Sequence, residues 1–297
     1  TTDGEFKIDV ENGGALRTNL TIIRPFYDAY RFKFEASGDV SLCNTAISHI
    51  WGNDDSGGLR LYGNDPWLEN LTIVGSGGPG IYTSSAYPHL TRIYITNTTY
   101  GIYSEGSSPQ TPFDDIHIIN ATSEAFHLEN CSLDISNTYV SESPIGLNAI
   151  STVLDITNSS FLNTSDYSLI LQSGSTSIAI NSRFHRERTD ISVDSSLMVK
   201  WDFDLTVIDT YRNPVQNKIV TISEWAGNPV YSGMTDQQGR IPSQQLNEFT
   251  VIGGVKTYCT PHLVRIMGNP PENKFHITVE KRIDLTVFCD GDSDNDT

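Results

Sequence analysis

Leu68-Glu69-Asn70-Leu71-Thr72-Ile73 is followed by Leu90-Thr91-Arg92-Ile93-Tyr94-Ile95, and that by Phe113-Asp114-Asp115-Ile116-His117-Ile118. Each opens on an apolar residue, carries Asn, Arg or Asp two places on, and then resumes an apolar alternation. Working outward, the frame recurs upstream as Thr18-Asn19-Leu20-Thr21-Ile22 and Leu42-Cys43-Asn44-Thr45-Ala46-Ile47. Downstream it recurs as Ile135-Ser136-Asn137-Thr138-Tyr139-Val140, Ile156-Thr157-Asn158-Ser159-Ser160-Phe161 and Asn181-Ser182-Arg183-Phe184. The frame positions are 19, 44, 70, 92, 115, 137, 158 and 181, spaced by 25, 26, 22, 23, 22, 21 and 23 residues. Such regular self-similarity is the mark of a repeat architecture.

A second short segment follows each frame. The copies are Phe32-Lys33-Phe34, Leu59-Arg60-Leu61, Ile81-Tyr82-Thr83, Ile102-Tyr103-Ser104, Phe126-His127-Leu128, Leu147-Asn148-Ala149, Leu169-Ile170-Leu171 and Ile191-Ser192-Val193. Their period-two alternation is that of a strand with one buried face, and helical periodicity is absent. One repeat is therefore expected to form one turn of an all-β solenoid. The repeats resemble the right-handed parallel β-helix proteins, a group that includes pectate lyases, polygalacturonases, phage tailspikes and microbial surface proteins. The resemblance covers roughly residues 5–200 and implies about eight coils. It also implies that the Asn column, from which Arg92 departs, forms an internal amide ladder. On that reading Asn19, Asn70 and Asn158 are buried, and Asn137→Leu is more damaging than Asn97→Leu.

Near Leu197 the repeat stops. About seven short strand candidates follow in some 90 residues, the pattern of a β-sandwich. Asn213-Pro214-Val215 and Thr235-Asp236-Gln237-Gln238-Gly239 resemble elements of carboxypeptidase-regulatory-like and other immunoglobulin-like modules of secreted proteins. The expected organisation is a parallel β-helix over 1–200, an immunoglobulin-like β-sandwich over 201–289, and an acidic tail or linker over 290–297. Cys259 and Cys289 both fall on strand candidates of the second domain. A bridge between them would contribute about 3 kcal/mol. Cys43 and Cys131, three coils apart, read as free buried thiols.

Nineteen Lys and Arg stand against 36 Asp and Glu, a formal charge of −17. That balance argues against nucleic acid, whose phosphates demand a basic face, and against anionic lipid. No apolar run approaches the ~18–20 residues that span a bilayer. Thr1-Thr2-Asp3-Gly4 carries neither an initiator Met nor a signal peptide, so the chain is expected to be a mature form or an excised fragment. An extracellular or cell-surface location fits this composition.

Chemistry-bearing motifs are sparse. The Asp clusters with Gly-His-Gly and Arg-Ile-Lys of polygalacturonase-like sites are missing. Gly75-Ser76-Gly77-Gly78-Pro79-Gly80 leads into a strand and so is a loop rather than a phosphate cradle. Aligning the second segments places Lys33, Arg60, Tyr82, Tyr103, His127, Asn148, Ile170 and Ser192 in one outward column. Its Lys33, Arg60, Tyr82, Tyr103 and His127 suit sugar rings or acidic glycans, or else simply brace neighbouring strands. Tyr94, His117 and Tyr139 form a rival column, broken by Ala46. Asp290, Asp292 and Asp294 alternate as Ca²⁺ ligands do, although without a bidentate Glu the segment reads first as an acidic tail. Of eight Asn-x-Ser/Thr sequons, those at Asn97, Asn120 and Asn163 follow strands and are the expected glycan acceptors. The leading expectation is a non-enzymatic surface-layer, adhesin or scaffold component that binds glycan or neighbouring subunits, with a homo-oligomer or filament as one form. The alternative is a polysaccharide lyase, glycoside hydrolase or epimerase acting on the helix face.

Overall fold

The computed structural model describes residues 6–25, 32–50, 57–63, 65–267 and 273–289; among these it contains strands, bridges and turns but no helix. The chain divides into two compact units. The first comprises the described residues of 1–177, 182–197 and 252–254; the second, those of 178–181, 198–251 and 255–289.

The first unit is a parallel β-solenoid, part of a run of about eight turns. Each strand pairs in parallel with its counterpart one coil away, as when Leu71, Thr72 and Ile73 of Trp67–Ser76 meet Ile93, Tyr94 and Ile95. Three apolar columns fill the interior. Leu42, Leu68, Leu90, Phe113, Ile135 and Ile156 line the first face. Ile47, Ile73, Ile95, Ile118, Val140 and Phe161 line the second, and Phe34, Leu59, Ile81, Ile102, Phe126, Leu147 and Leu169 the third. Every one of these is at most 1% exposed, which explains why the outward residues alone vary in chemistry.

The faces meet at corners made by single left-handed residues. One corner column is Leu20, Asn44, Asn70, Arg92, Asp115, Asn137 and Asn158; a second is His49, Gly75, Asn97, Asn120, Glu142 and Asn163. A third is Gly63, Ser85, Gly106, Asn130, Ser151 and Ser173. The first two corners lie five residues apart in every coil where both are present, from 44/49 to 158/163. Asn and Asp tolerate the left-handed region, which costs other L-residues roughly 1–2 kcal/mol. That preference is the source of the Asn repeat.

The Asn side chains therefore project outward, and the expected internal ladder is corrected: Asn19, Asn44, Asn70, Asn137 and Asn158 are all exposed. Amide bonds do join coils, but on the outer surface. Asn70 Nδ2 donates to Asn44 Oδ1 at 2.7 Å, Asn44 Nδ2 to Asn19 Oδ1 at 2.8 Å, and Asn120 Nδ2 to Asn97 Oδ1 at 2.7 Å. In the first coil the corner residue is Leu20, not Asn19, with φ of 54° and 83% exposure.

The buried polar ladder consists of hydroxyls one residue after the corner. Thr138, Ser143, Thr152, Ser159 and Ser182 are each at most 2% exposed. Ser159 Oγ donates to Thr157 O at 2.8 Å and accepts from Thr138 N–H, one coil earlier, at 3.1 Å. Ser182 Oγ accepts in turn from Ser159 N–H at 3.2 Å, and Thr152 Oγ1 from Cys131 N–H at 3.2 Å. A left-handed corner turns the strand ladder aside, and the hydroxyl supplies the acceptor that the buried N–H of the preceding coil needs.

Asn137→Leu and Asn97→Leu are consequently expected to be about equally harmful, at about 1–2 kcal/mol each. Both force a bulky residue into the left-handed region, and both delete an outer amide bond. Thermal midpoints measured side by side check this. A midpoint several degrees lower for Asn137→Leu alone would contradict the equivalence of the two corners.

A core cluster of the second unit is built from Trp201, Phe203, Leu205, Val207, Val220, Ile222, Ile241, Leu246, Val264, Ile266, Ile277, Val279 and Cys289. A separate antiparallel sheet runs in the order Pro229–Met234, Ile219–Ser223, His262–Met267, Asn273–Ile277. Phe203 to Ile208 pair in parallel with Ile283 to Phe288. The bridge expected between Cys259 and Cys289 is not formed; all four cysteines are free. Cys289 lies in the core and accepts from Asn273 Nδ2 at 3.0 Å. Cys259 is half-buried, and burial, with Glu224 nearby, pushes its thiol pKa up. Of the other pair, Cys131 is buried as expected, but Cys43 is only half-buried on an outward position.

His262 is fully buried in this unit, and neither ring nitrogen has a hydrogen-bond partner. Burial holds its pKa below the ordinary value, opposed by Glu224. As pH falls below about 6.5 the unfolded chain takes up a proton that the folded chain refuses. Stability is therefore expected to fall with acidification in that window, by at most about 1.4 kcal/mol per pH unit from this group. Denaturant midpoints from pH 7.5 to 5 should decline more steeply for the native chain than for His262→Leu. Parallel curves would remove His262 from the account.

Candidate functional site

The third face bends where Gly101 approaches the second face. A Cβ there would lie 2.5 Å from Ala125 O and 2.6 Å from Ile118 Cγ2, so only glycine lets the chain pass so close. Beyond the bend the strands run side by side, and strict alternation aims every second residue outward.

Register places Arg60 beside Tyr82, Tyr82 beside Tyr103, Tyr103 beside His127, His127 beside Asn148, and Asn148 beside Ile170. Two ends differ from the sequence alignment. Phe34 pairs with Leu59, so Glu35 rather than Lys33 stands beside Arg60, and Lys33 stands beside Lys7. At the other end Ile170 pairs with Asp190, not Ser192. Phe32-Lys33-Phe34-Glu35-Ala36 alternates so evenly that either Lys33 or Glu35 satisfies the pattern, and only backbone pairing decides.

The rings of the column are stacked on one another. The Arg60 guanidinium sits 3.8 Å from the centre of the Tyr82 ring. Tyr82 and Tyr103 lie 5.4 Å apart, and Tyr103 and His127 stack at 4.3 Å with planes 21° apart. Tyr100 meets both Tyr103 and His127 edge-on, at 5.5 and 5.9 Å. Ring faces are thus largely spent on each other, and what remains for a ligand is a line of ring edges and polar groups.

Those polar groups are held in place. Tyr82 OH donates to Glu105 Oε2 at 2.9 Å, and burial together with that bond keeps the phenol pKa above its ordinary value. Arg60 Nε donates to Tyr62 OH at 2.6 Å. Glu124, only 9% exposed, was not singled out from sequence, yet it organises the middle of the strip. Its Oε2 lies 2.6 Å from His127 Nδ1, and its Oε1 accepts from Asn148 Nδ2 at 3.1 Å. Its signal was faint: an acid three residues before His127, in a strand that carries other acids at Asp114, Asp115 and Glu129.

The rival column occupies the second face. Tyr94, His117 and Tyr139 are register neighbours with ring centres 6.4 and 6.0 Å apart, and Ala46 and Thr72 precede them. Its rings are more widely spaced than those of the third face, and Tyr94 is 41% exposed. On the first face Trp67 stacks on His89 at 3.7 Å.

Asn97, Asn120 and Asn163 are exposed residues of the second corner. Since Asn19, Asn70 and Asn158 are exposed too, burial does not separate the two sets of sequons. Asp290, Asp292 and Asp294 lie outside the described residues, and among the described residues no cluster of three or more His, Cys, Asp or Glu could hold a metal ion. Among the described residues, no helix is long and apolar enough to cross a membrane.

No family model matches the chain, and no curated protein matches it. Among solved structures the chain is similar to one described as "The Bacillus anthracis TIE protein", at 13% identity and a TM-score of 0.24. The alignment covers 40% of this chain and spans 19% of that chain's length.

Proposed function

We propose that this chain is an extracellular or cell-surface structural or adhesive protein, of the surface-layer, filament or scaffold kind, whose third face binds glycan. On this reading the solenoid is a right-handed β-helix and the second unit an immunoglobulin-like β-sandwich. Its separate antiparallel sheet and the hydrophobic cluster from Trp201 to Cys289 support the latter. Neighbouring subunits are the other partners that such a strip could take, and Asn97, Asn120 and Asn163 are the acceptors for glycosylation.

The observation that carries the proposal is the ordered strip from Arg60 to Asn148. It presents guanidinium, phenol, imidazole, carboxylate and amide groups at the coil repeat of about 4.8 Å. That repeat is close to the length that one pyranose residue adds to an extended polysaccharide. A chain laid along the axis would therefore meet one set of hydrogen-bonding groups per sugar, on a surface whose side chains are already fixed.

The test is retention on a panel of immobilised neutral and acidic polysaccharides. Tyr82→Ala combined with Tyr103→Ala is expected to weaken retention at least tenfold while leaving the far-ultraviolet spectrum unchanged. Undiminished retention would move the site elsewhere.

The carboxylate-held imidazole of Glu124 and His127 favours one second reading, a polysaccharide lyase, glycoside hydrolase or epimerase. A His oriented by a carboxylate is equipped for proton transfer. Incubating the same panel with the protein, following polymer length by size exclusion and sugar configuration by proton NMR, separates the two. Shortened chains favour a lyase or hydrolase and inverted sugars an epimerase; intact, chemically unchanged chains that co-migrate with protein favour the adhesive reading.

A further inference from the structure

We infer that the outer face of the four-stranded sheet in the second unit carries its own binding site, for a pyranose bearing a carboxylate. The site is a cleft of about 370 Å³ lined by Thr221, Ser223, Glu224, Trp225, Arg265 and His276, among others. It is separate from the strip on the solenoid and stands whether or not that strip binds glycan.

The sheet lays out the chemistry in two rows. Thr221, Arg265 and Lys274 are lateral neighbours on adjacent strands; Ser223, Leu263 and His276 form the next row. All six occupy outward positions, opposite the buried Val220, Ile222, Val264 and Ile266. Trp225 rises beside the second row, 69% exposed, with its ring centre 6.2 Å from that of His276 and the planes 55° apart. Unlike the rings of the solenoid strip, Trp225 keeps much of its surface open, and an open indole is the best partner for the apolar side of a sugar ring.

The turn that carries Trp225 is fixed. Glu224 N–H donates to Asn228 O at 2.9 Å, Gly227 N–H to Glu224 O at 2.8 Å, and Trp225 N–H to Cys259 O at 3.4 Å. The backbone that carries the indole is thus held in place, which lowers part of the ordering cost of binding. The cleft holds a cation, Arg265, and Lys274 is its lateral neighbour on the next strand. Arg265 and Lys274 sit side by side in a protein with 17 more acidic than basic side chains. Glu224, which also lines the cleft, accepts from Asn228 Nδ2 at 3.0 Å and Asn247 Nδ2 at 3.3 Å. An aromatic wall, flanking hydroxyls and the Arg265 guanidinium, with Lys274 on the neighbouring strand, suit a ring that carries an anion, and Arg suits a carboxylate best.

The experiment is isothermal titration calorimetry of the full chain with tetragalacturonate and with its fully methyl-esterified, neutral form. Saturable binding of the acid is expected, with the ester at least tenfold weaker and the acid weakened by salt. Trp225→Ala is expected to weaken both ligands at least tenfold. Arg265→Met should weaken the acid at least tenfold and leave the ester unchanged, with Arg265→Lys restoring part of the loss. Tyr82→Ala with Tyr103→Ala should leave a Trp225-dependent phase of binding intact. No saturation, equal affinity for acid and ester, or undiminished binding by Trp225→Ala would each overturn the inference.

Discussion

Phe126→Ala is expected to lower the stability of the solenoid by about 3–5 kcal/mol, the range for truncating a fully buried Phe. Phe126 is 0% exposed, with Ile102 on one side of its column and Leu147 on the other, and its ring meets that of Phe161 edge-on at 6.4 Å between centres. The loss combines transfer of the removed ring atoms with the cavity left behind. That cavity cannot collapse readily, because backbone bonds to two neighbouring coils hold the strand at a fixed spacing. His127 projects from the opposite side of the same strand, so a defect beneath it loosens the stacked rings above. Denaturant unfolding followed by far-ultraviolet circular dichroism reads the effect. A loss below about 1 kcal/mol would mean that the coils relax around the gap, contrary to a tightly packed interior.

The interior was the legible part of the sequence. An apolar residue returning every 21 to 26 positions, together with period-two alternation around it, admits one arrangement in which all copies are buried by their neighbours. Positions such as Leu68, Leu90 and Phe113 therefore announced both the solenoid and its inner columns. The Asn column carried an ambiguous signal. Periodicity shows that Asn70 and Asn137 occupy equivalent places, but an amide suits an inner ladder and a left-handed outer corner equally well. In some copies, though not after Asn70, Arg92 or Asp115, the next residue was the distinguishing feature. Thr45, Thr138, Ser159 and Ser182 are small hydroxyls that fit an interior corner, whereas Leu20 shows that the corner itself admits a large side chain facing water.

The outward column was legible from Arg60 to Ile170, where coil lengths are nearly constant. It failed at both ends for one reason. A strand with alternating apolar residues can slide by two without changing its buried face, and only the length of the preceding loop sets the register. Lys33 and Ser192 were each misplaced by such a two-residue slide. Glu124 was hidden because its role depends on different strand segments meeting above the core, and one-dimensional spacing does not encode that. The cleft around Trp225 was hidden likewise, since Glu224, Arg265 and His276 come from separate strands and turns of the second unit.

Glu124→Ala is expected to cost about 2–4 kcal/mol and, with it, most of the binding at the strip. The carboxylate accepts from Asn148 Nδ2 and faces His127 Nδ1, and Asn148 is itself only 7% exposed. Deleting it strands a buried amide and an imidazole at once, and each such orphan costs about 1–3 kcal/mol. The same two groups belong to the proposed ligand surface, so their release should also disorder the stack from His127 back to Tyr103. Glu124→Gln separates these effects. Its carbonyl oxygen can still accept from Asn148, so most of the stability should return, while the negative charge beside His127 is gone. Thermal midpoints and polysaccharide retention are measured on both variants. If Glu124→Gln recovers stability and retention together, Glu124 acts by holding shape. If it recovers stability alone, the charge on the carboxylate is what the ligand, or a proton in transit through His127, requires. A Glu124→Ala chain that melts like the native protein would show that neither partner depends on it, and the strip would lose its organising residue.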